Sequence, residues 1–217
     1  MASPFNRTTN LWVARVLLSV PLASILGVVG LYYYAVPEYT RVGYQPTQPV
    51  SFSHKLHAGE LGFSCVYCHS HVEESPQSNV PPTQTCMNCH QAVKGTSPLL
   101  AQVRESWASG EPIPWNRVHM TPDYVYFNHS IHVRRGVGCV SCHGKVNEME
   151  IVRHDQPLSM SWCLSCHREP EKALRPLSEA TNLDWLPPKG ETQESIGKRI
   201  KTDSGINAPQ QCSGCHR

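Results

Sequence analysis

Apolar positions are spread very unevenly along this chain. Val16 to Ala35 reads VLLSVPLASILGVVGLYYYA, twenty residues without a charge, which is long enough to cross a bilayer as one helix. Trp12 precedes the run and Tyr32, Tyr33 and Tyr34 close it, where amphipathic aromatic side chains settle at membrane interfaces. Arg7 and Arg15 come first with no acidic residue beside them, so the pattern predicts a cytoplasmic N-terminus and an exported chain from about Glu38 onward. Pro21 lies within the run, and membrane helices tolerate such a proline with a kink. A cleaved signal peptide has the same order of basic and apolar residues. Against that reading, the run is long for a signal and no Ala-x-Ala site follows it.

Beyond the run the pattern thins. From Gln45 to Arg217 there are 32 Ile, Leu, Val and Phe in 173 residues, under the fifth below which chains fail to build a packed core. The 16 prolines from Pro37 onward suit short segments wrapped around something else more than long helices or sheets. A helix is expected around Pro98 to Ser109, followed by the turn Glu111-Pro-Ile-Pro114, and another short helix carries Cys163 to His167. Lys189 to Gln211 reads as a polar, irregular arm. No alternation predicts a sheet.

The cysteines say what replaces the missing core. All ten fall into five copies of Cys-x-x-Cys-His: Cys65/Cys68/His69, Cys86/Cys89/His90, Cys139/Cys142/His143, Cys163/Cys166/His167 and Cys212/Cys215/His216. Two thiols three positions apart can form thioethers to both vinyl groups of one haem, and the next residue then lies under the iron as its proximal ligand. Structural zinc would need cysteine pairs grouped in fours and gives no reason for a histidine in the fifth place every time. A disulfide scaffold would not space each pair identically. The expected cofactors are therefore five covalently bound haem c. The expected fold is a single N-terminal transmembrane helix plus a multihaem cytochrome c domain of short helices and loops packed around haems, with little or no sheet. Haem c is attached on the outer face of the membrane, in agreement with the predicted topology. A net charge of +2 gives no reason to expect a nucleic-acid partner.

An iron that only carries electrons is usually closed on both faces, so the remaining histidines bear on function. Five of the 12 are proximal, leaving His54, His57, His71, His119, His129, His132 and His154 for five irons. The pairs His54/His57 and His129/His132 each follow Phe-x-His-x-x-His, and a spacing of three puts both imidazoles on one side of a helical turn, within reach of two neighbouring haems. His71 is equally well read as a surface residue. His119 stands in Trp115-Asn-Arg117-Val-His119 and His154 in Arg153-His154-Asp155, so each has an arginine near it for a haem propionate. Met87, Met120, Met149 and Met160 are read as packing residues more than ligands.

Phe52-Ser-His54-Lys-Leu-His57 and Phe127-Asn-His129-Ser-Ile-His132 repeat at an offset of 75 residues, each followed by two attachment motifs. The expected organisation is a cytoplasmic tail and anchor over 1–36, a first two-haem module over 37–110, a second over 111–188, and a C-terminal arm with a fifth haem over 189–217.

The order Phe-x-His-x-x-His then Cys-x-x-Cys-His is similar to that of the small multihaem cytochromes of the c3 and c7 type. That resemblance implies that the first histidine ligates the first haem of its module and the second a different one. In the c7-like order His54 serves the Cys65 haem, His57 the Cys86 haem, His129 the Cys139 haem, His132 the Cys163 haem and His154 the Cys212 haem. A c3-like order would instead let His71 or His119 serve the Cys86 haem. The larger pattern adds Cys86-Met-Asn-Cys89-His90, Trp115 to His132, and Cys139-Val-Ser-Cys142-His143-Gly144 through Met160-Ser-Trp-Cys163. From Val50 to Glu169 it resembles the pentahaem subunit of alternative complex III. This implies a membrane complex that oxidises quinol in a polytopic subunit and passes electrons through iron–sulfur clusters and haems to a monohaem cytochrome c subunit or another carrier. The present chain would hold no catalytic residue of its own. Three other functions compete: an autonomous membrane-anchored multihaem quinol dehydrogenase, a multihaem reductase, and a charge-storing cytochrome without fixed partners. The pentahaem nitrite reductases carry a Cys-x-x-Cys-Lys that is absent here.

Overall fold

A computed structural model describes residues 7–35 and 41–216. The predicted boundary near Pro37 and Glu38 lies outside them. The chain divides into two compact units, 1–41 and 42–217.

The first unit is helix α1, Arg7–Gly30, continued by a wider π-helical turn over Leu31–Ala35. Its apolar stretch is Leu11–Tyr33, 23 residues long. It therefore begins five positions before the charge-free run, because Arg15 is tolerated within an otherwise apolar helix. Leu17, Leu18, Ile25, Leu26 and Val28 are exposed, and a helix with so many bare aliphatic side chains needs an apolar solvent or partner. Pro21 sits inside α1, where its ring removes one backbone hydrogen bond.

The second unit is a set of short helices joined by loops, with no strand among the described residues. Its elements are a π-helical turn over Lys55–Glu60, α2 Cys65–Cys68, α3 Thr83–His90, α4 Ala101–Ser109, α5 His129–Arg134, α6 Val140–His143, α7 Met160–Arg168 and α8 Gln193–Asp203. Four attachment motifs lie on or beside α2, α3, α6 and α7, and the fifth opens a 3-10 turn at Cys212–Gly214. The expected helix at Pro98 to Ser109 forms as a 3-10 turn, Pro98–Leu100, running into α4.

Protein atoms alone build little core. Only nine apolar residues are buried among those described. Val50, Met87 and Val103 form a cluster with Leu100, Ile113 and Trp115 against it, which docks α3 on α4. A second apolar contact lies where Leu174 and Ile196 are almost wholly buried. Met87 and Met149 are buried as packing residues and Met160 is exposed.

The segment expected to be an irregular arm contains α8. Thr192 caps it, its hydroxyl accepting from Ser195 N while Ser195 Oγ accepts from the Thr192 amide. A reciprocal cap of this kind satisfies two end donors at once. Ile196 turns inward, and a Cβ on Gly197 would stand 1.9 Å from the Glu171 carbonyl oxygen. Polar composition hid this helix because a single buried isoleucine and a glycine suffice to seat it. Gln193 Nε2 donates to the Leu174 and Glu171 carbonyls, and Lys201 pairs with Glu171 at 2.9 Å.

Candidate haem-binding sites

The two Phe-x-His-x-x-His repeats fold alike around their phenylalanine. Phe52 meets His54 edge-on at 4.8 Å and stacks on His57 at 4.4 Å. Phe127 meets His129 edge-on at 4.7 Å and lies over His132 at 4.5 Å. The residue before each first histidine holds the turn. Ser53 Oγ accepts from Leu56 N at 3.0 Å, and Asn128 Oδ1 accepts from Ile131 N at 3.4 Å.

These turns aim imidazoles at the attachment motifs. His57 faces His90 with ring centroids 6.2 Å apart, His132 faces His167 at 6.1 Å, and His129 faces His143 at 6.4 Å. A metal held between two imidazoles at bonds of about 2 Å separates the ring centroids by roughly 6 Å, so all three spacings fit an iron between the rings. His54 is buried, and its pKa is lowered to about 4 by that burial and then by the nearby His69. Its Nδ1 is enclosed without a hydrogen bond.

Hydrogen bonds select the nitrogen left for a metal. Nδ1 of His69, His90, His167 and His216 lies 2.7, 2.9, 2.6 and 3.1 Å from the carbonyl oxygens of Asn79, Val93, Pro209 and Tyr124. Nδ1 of His57, His129 and His132 likewise faces the carbonyls of Ser53, Pro76 and Asn128. A carbonyl can only accept, so each Nδ1 carries the proton and each Nε2 keeps its lone pair. His143 differs: its Nδ1 lies 3.3 Å from Nε2 of His119.

The surroundings of His143 are also the most enclosed. Burial, followed by the neighbouring His119 and His129, pushes its pKa down to about 3. The thiols of its motif are pushed up to about 11 at Cys139 and about 12 at Cys142, in each case chiefly by burial. Gly144 follows with φ of 67°, and a Cβ there would meet the Asp155 carboxylate at 2.5 Å. His119 itself is lowered to about 4 by burial and then by His154.

His154 is nearly fully buried, and its backbone pairs with Gly43 and Tyr44. Its ring neighbour is His119 at 5.3 Å, whereas the ring neighbour of His216 is Tyr124 at 5.6 Å. The expected partnership of His154 with the Cys212 motif is thus not among the ring contacts formed. His71 is exposed, its amide bonded to Asn79 Oδ1. Arg117 donates to the His119 carbonyl, and Arg153 pairs with Asp155 at 3.6 Å.

The residues fit the haem that the motifs demand. No cysteine is in a disulfide, the imidazoles stand at the separation an iron needs, and the protein core is too thin to hold the chain without further apolar bulk. A cavity of about 500 Å³ opens beside His90, lined by Met87, Lys94 and Arg104. The sequence pattern of the family described as "Cytochrome c7 and related cytochrome c" matches residues 50–105 and 125–217.

Two curated proteins are similar over shorter stretches. One is the "Menaquinone reductase, multiheme cytochrome c subunit" of Nitratidesulfovibrio vulgaris, 38% identical over 100 residues that cover 46% of this chain and 47% of the relative. The other is "Cytochrome c-552" of Desulfotalea psychrophila, 36% identical over 61 residues, covering 25% of this chain and 12% of the relative. The chain thus spans about half the length of the first relative and much less of the second. With the family pattern over more than half of its residues, the chain belongs to the cytochrome c7 and related cytochromes c, as a multihaem cytochrome that binds haem covalently and transfers electrons.

Proposed function

We propose that this chain is the electron-transfer subunit of a membrane complex that exchanges electrons with the quinone pool, holding five haem c at its five attachment motifs. The observation that carries this reading is the set of three imidazole pairs at 6.1 to 6.4 Å, which closes an iron on both faces and leaves no room for a substrate. The proximal ligands are His69, His90, His143, His167 and His216. The distal ligands are His57 for the Cys86 haem, His129 for the Cys139 haem and His132 for the Cys163 haem. By the repeat, His54 serves the Cys65 haem. For the Cys212 site the reading names His216 alone.

The haems supply reversible one-electron chemistry at low potential, since imidazole on both faces holds the potential below that given by methionine. The chain fixes imidazole tautomers through carbonyls, excludes water around His143, and sets the distances between sites. Residues 37–110 and 111–188 act as two modules and 189–217 as a third segment. Helix α1 anchors the chain with its N-terminus in the cytoplasm and the haem domain outside.

The pattern over Val50 to Glu169 supports a quinol-oxidising complex of the alternative complex III kind, with an iron–sulfur subunit, a polytopic quinol-binding subunit and a monohaem cytochrome c subunit. A second reading rests on the 38% identical relative, whose name assigns it to a menaquinone reductase. In that reading electrons flow through the same haems toward the quinone. The test is the purified native complex, assayed with a quinol plus an oxidised carrier and then with a reduced carrier plus a quinone. Turnover in the first assay alone supports quinol oxidation, and turnover in the second alone supports quinone reduction. A chain that purifies without partner subunits and exchanges no electrons with quinones overturns both.

A further inference from the structure

The order in which the five motifs touch one another differs from their order in the sequence. The first and second motifs meet through their inner residues, Asn88 Nδ2 donating to the Tyr67 hydroxyl at 3.3 Å. On its other side the second motif packs into the cluster of Val50, Met87 and Val103. The first motif also reaches the third. Cys65 Sγ lies 3.7 Å from the Thr181 carbonyl, and the Cys139 amide donates to the adjacent Ala180 carbonyl at 2.9 Å. From the same side, His129 directs both its amide and its Nδ1 at the Pro76 carbonyl.

The third and fourth motifs are joined by α5, which presents His129 to His143 and His132 to His167 from one turn. The fourth and fifth share Pro209, whose carbonyl accepts from His167 Nδ1 and whose Cβ lies 2.7 Å from where a Cβ on Gly214 would stand. Thiol neighbours follow the same order. Beyond burial, Cys68 is raised by Cys86, Cys139 by Cys65, Cys142 by Cys166 and Cys163, and Cys163 by Cys215.

Resting on attachment at all five motifs, we propose that the haems form one file in the order Cys86, Cys65, Cys139, Cys163, Cys212, with the second and fifth motifs at the ends where electrons enter and leave. The first module is therefore threaded backwards, its second haem being the outermost. Exposure agrees with this, because Cys89 and Cys212 are the exposed cysteines and the other eight are partly covered. Each step takes one electron from a ferrous site and gives it to a ferric neighbour, with no bond made or broken. Tunnelling rates fall steeply with separation, so the order of neighbours fixes the route.

The test uses the haem-loaded full chain in detergent. His57→Met raises the potential of the Cys86 haem and makes it the final resting place of a photo-injected electron. Cys65→Ala with Cys68→Ala, added to that background, removes the first haem. The proposed file predicts that electron arrival at the Cys86 haem slows by more than an order of magnitude, since the link to the third haem is gone. An unchanged rate overturns the order. Anomalous diffraction at the iron edge from crystals of the parent gives a second measurement that needs no variant. The Cys65 iron should lie between those of Cys86 and Cys139, and a Cys86 iron closer than the Cys65 iron to that of Cys139 overturns the proposal. The masses of the denatured proteins report haem attachment separately, so failure of that reading registers on a different readout.

Discussion

The module around Phe52 and the module around Phe127 hold their imidazoles in the same way yet sit in different surroundings. In both, the phenylalanine is edge-on to the first histidine and over the second. In both, the second histidine faces the proximal histidine of its module's second motif at nearly the same separation. The backbone under them differs, being a π-helical turn over Lys55–Glu60 in one and α5 in the other. Burial differs more. Cys139, Cys142 and His143 carry the large shifts that enclosure brings, whereas Cys65 and Cys68 are raised less. The extra cover comes from chain outside the repeat. His119 and His154 lie behind His143, and the loop carrying Leu174, Arg175 and Ala180 packs on residues 136–139. The repeated residues thus set ligand geometry, and the unrepeated ones set solvent access.

The largest expected effect breaks this comparison at its most enclosed site. Replacing Cys139 and Cys142 by alanine removes a haem from the buried side and should prevent folded protein from accumulating. The Cys65 and Cys68 double replacement should mature with four haems. Yields and the masses of denatured protein check both, and equal behaviour would erase the difference in burial.

Next in size, His129→Met and His54→Met should each raise one haem potential by a sizeable part of the about 0.8 V that axial ligands span, with His129→Met giving the slower transfer across the chain. Spectroelectrochemical titration with flash kinetics reads both quantities. Gly197→Ala forces a methyl against the Glu171 carbonyl and should destabilise the haem-loaded domain by about 1–3 kcal/mol, seen as a lowered thermal midpoint. A neutral result would return residues 189–211 to an irregular arm. The smallest effects sharpen the likeness of the modules: Ser53→Ala and Asn128→Ala each lose one turn-holding acceptor, worth about 1 kcal/mol apiece in chemical denaturation.

Much of this was legible in the sequence for a physical reason. A haem motif carries its chemistry in five consecutive residues, so Cys65 to His69 and its copies need no tertiary context to be read. The spacing of His54 to His57 and of His129 to His132 is equally local, and so is the absence of charge from Val16 to Ala35. What was hidden depends on distant partners. Helix α8 is seated by Ile196 and Gly197 against Glu171 and Leu174, which the polar run around them does not advertise. The surroundings of His154 are set by backbone pairing with Gly43 and Tyr44, more than a hundred positions away. The contact of His119 with His143 joins a linker to a motif across 24 residues.

Low-temperature electron paramagnetic resonance of the fully oxidised, haem-loaded chain, with spins quantified, tests the central claim most directly. Paired imidazoles at the Cys65, Cys86, Cys139 and Cys163 haems predict low-spin ferric signals accounting for at least four haems per chain, unchanged by cyanide. High-spin signals from two or more haems that convert on adding cyanide would contradict the account and turn the chain from a wire into a reductase.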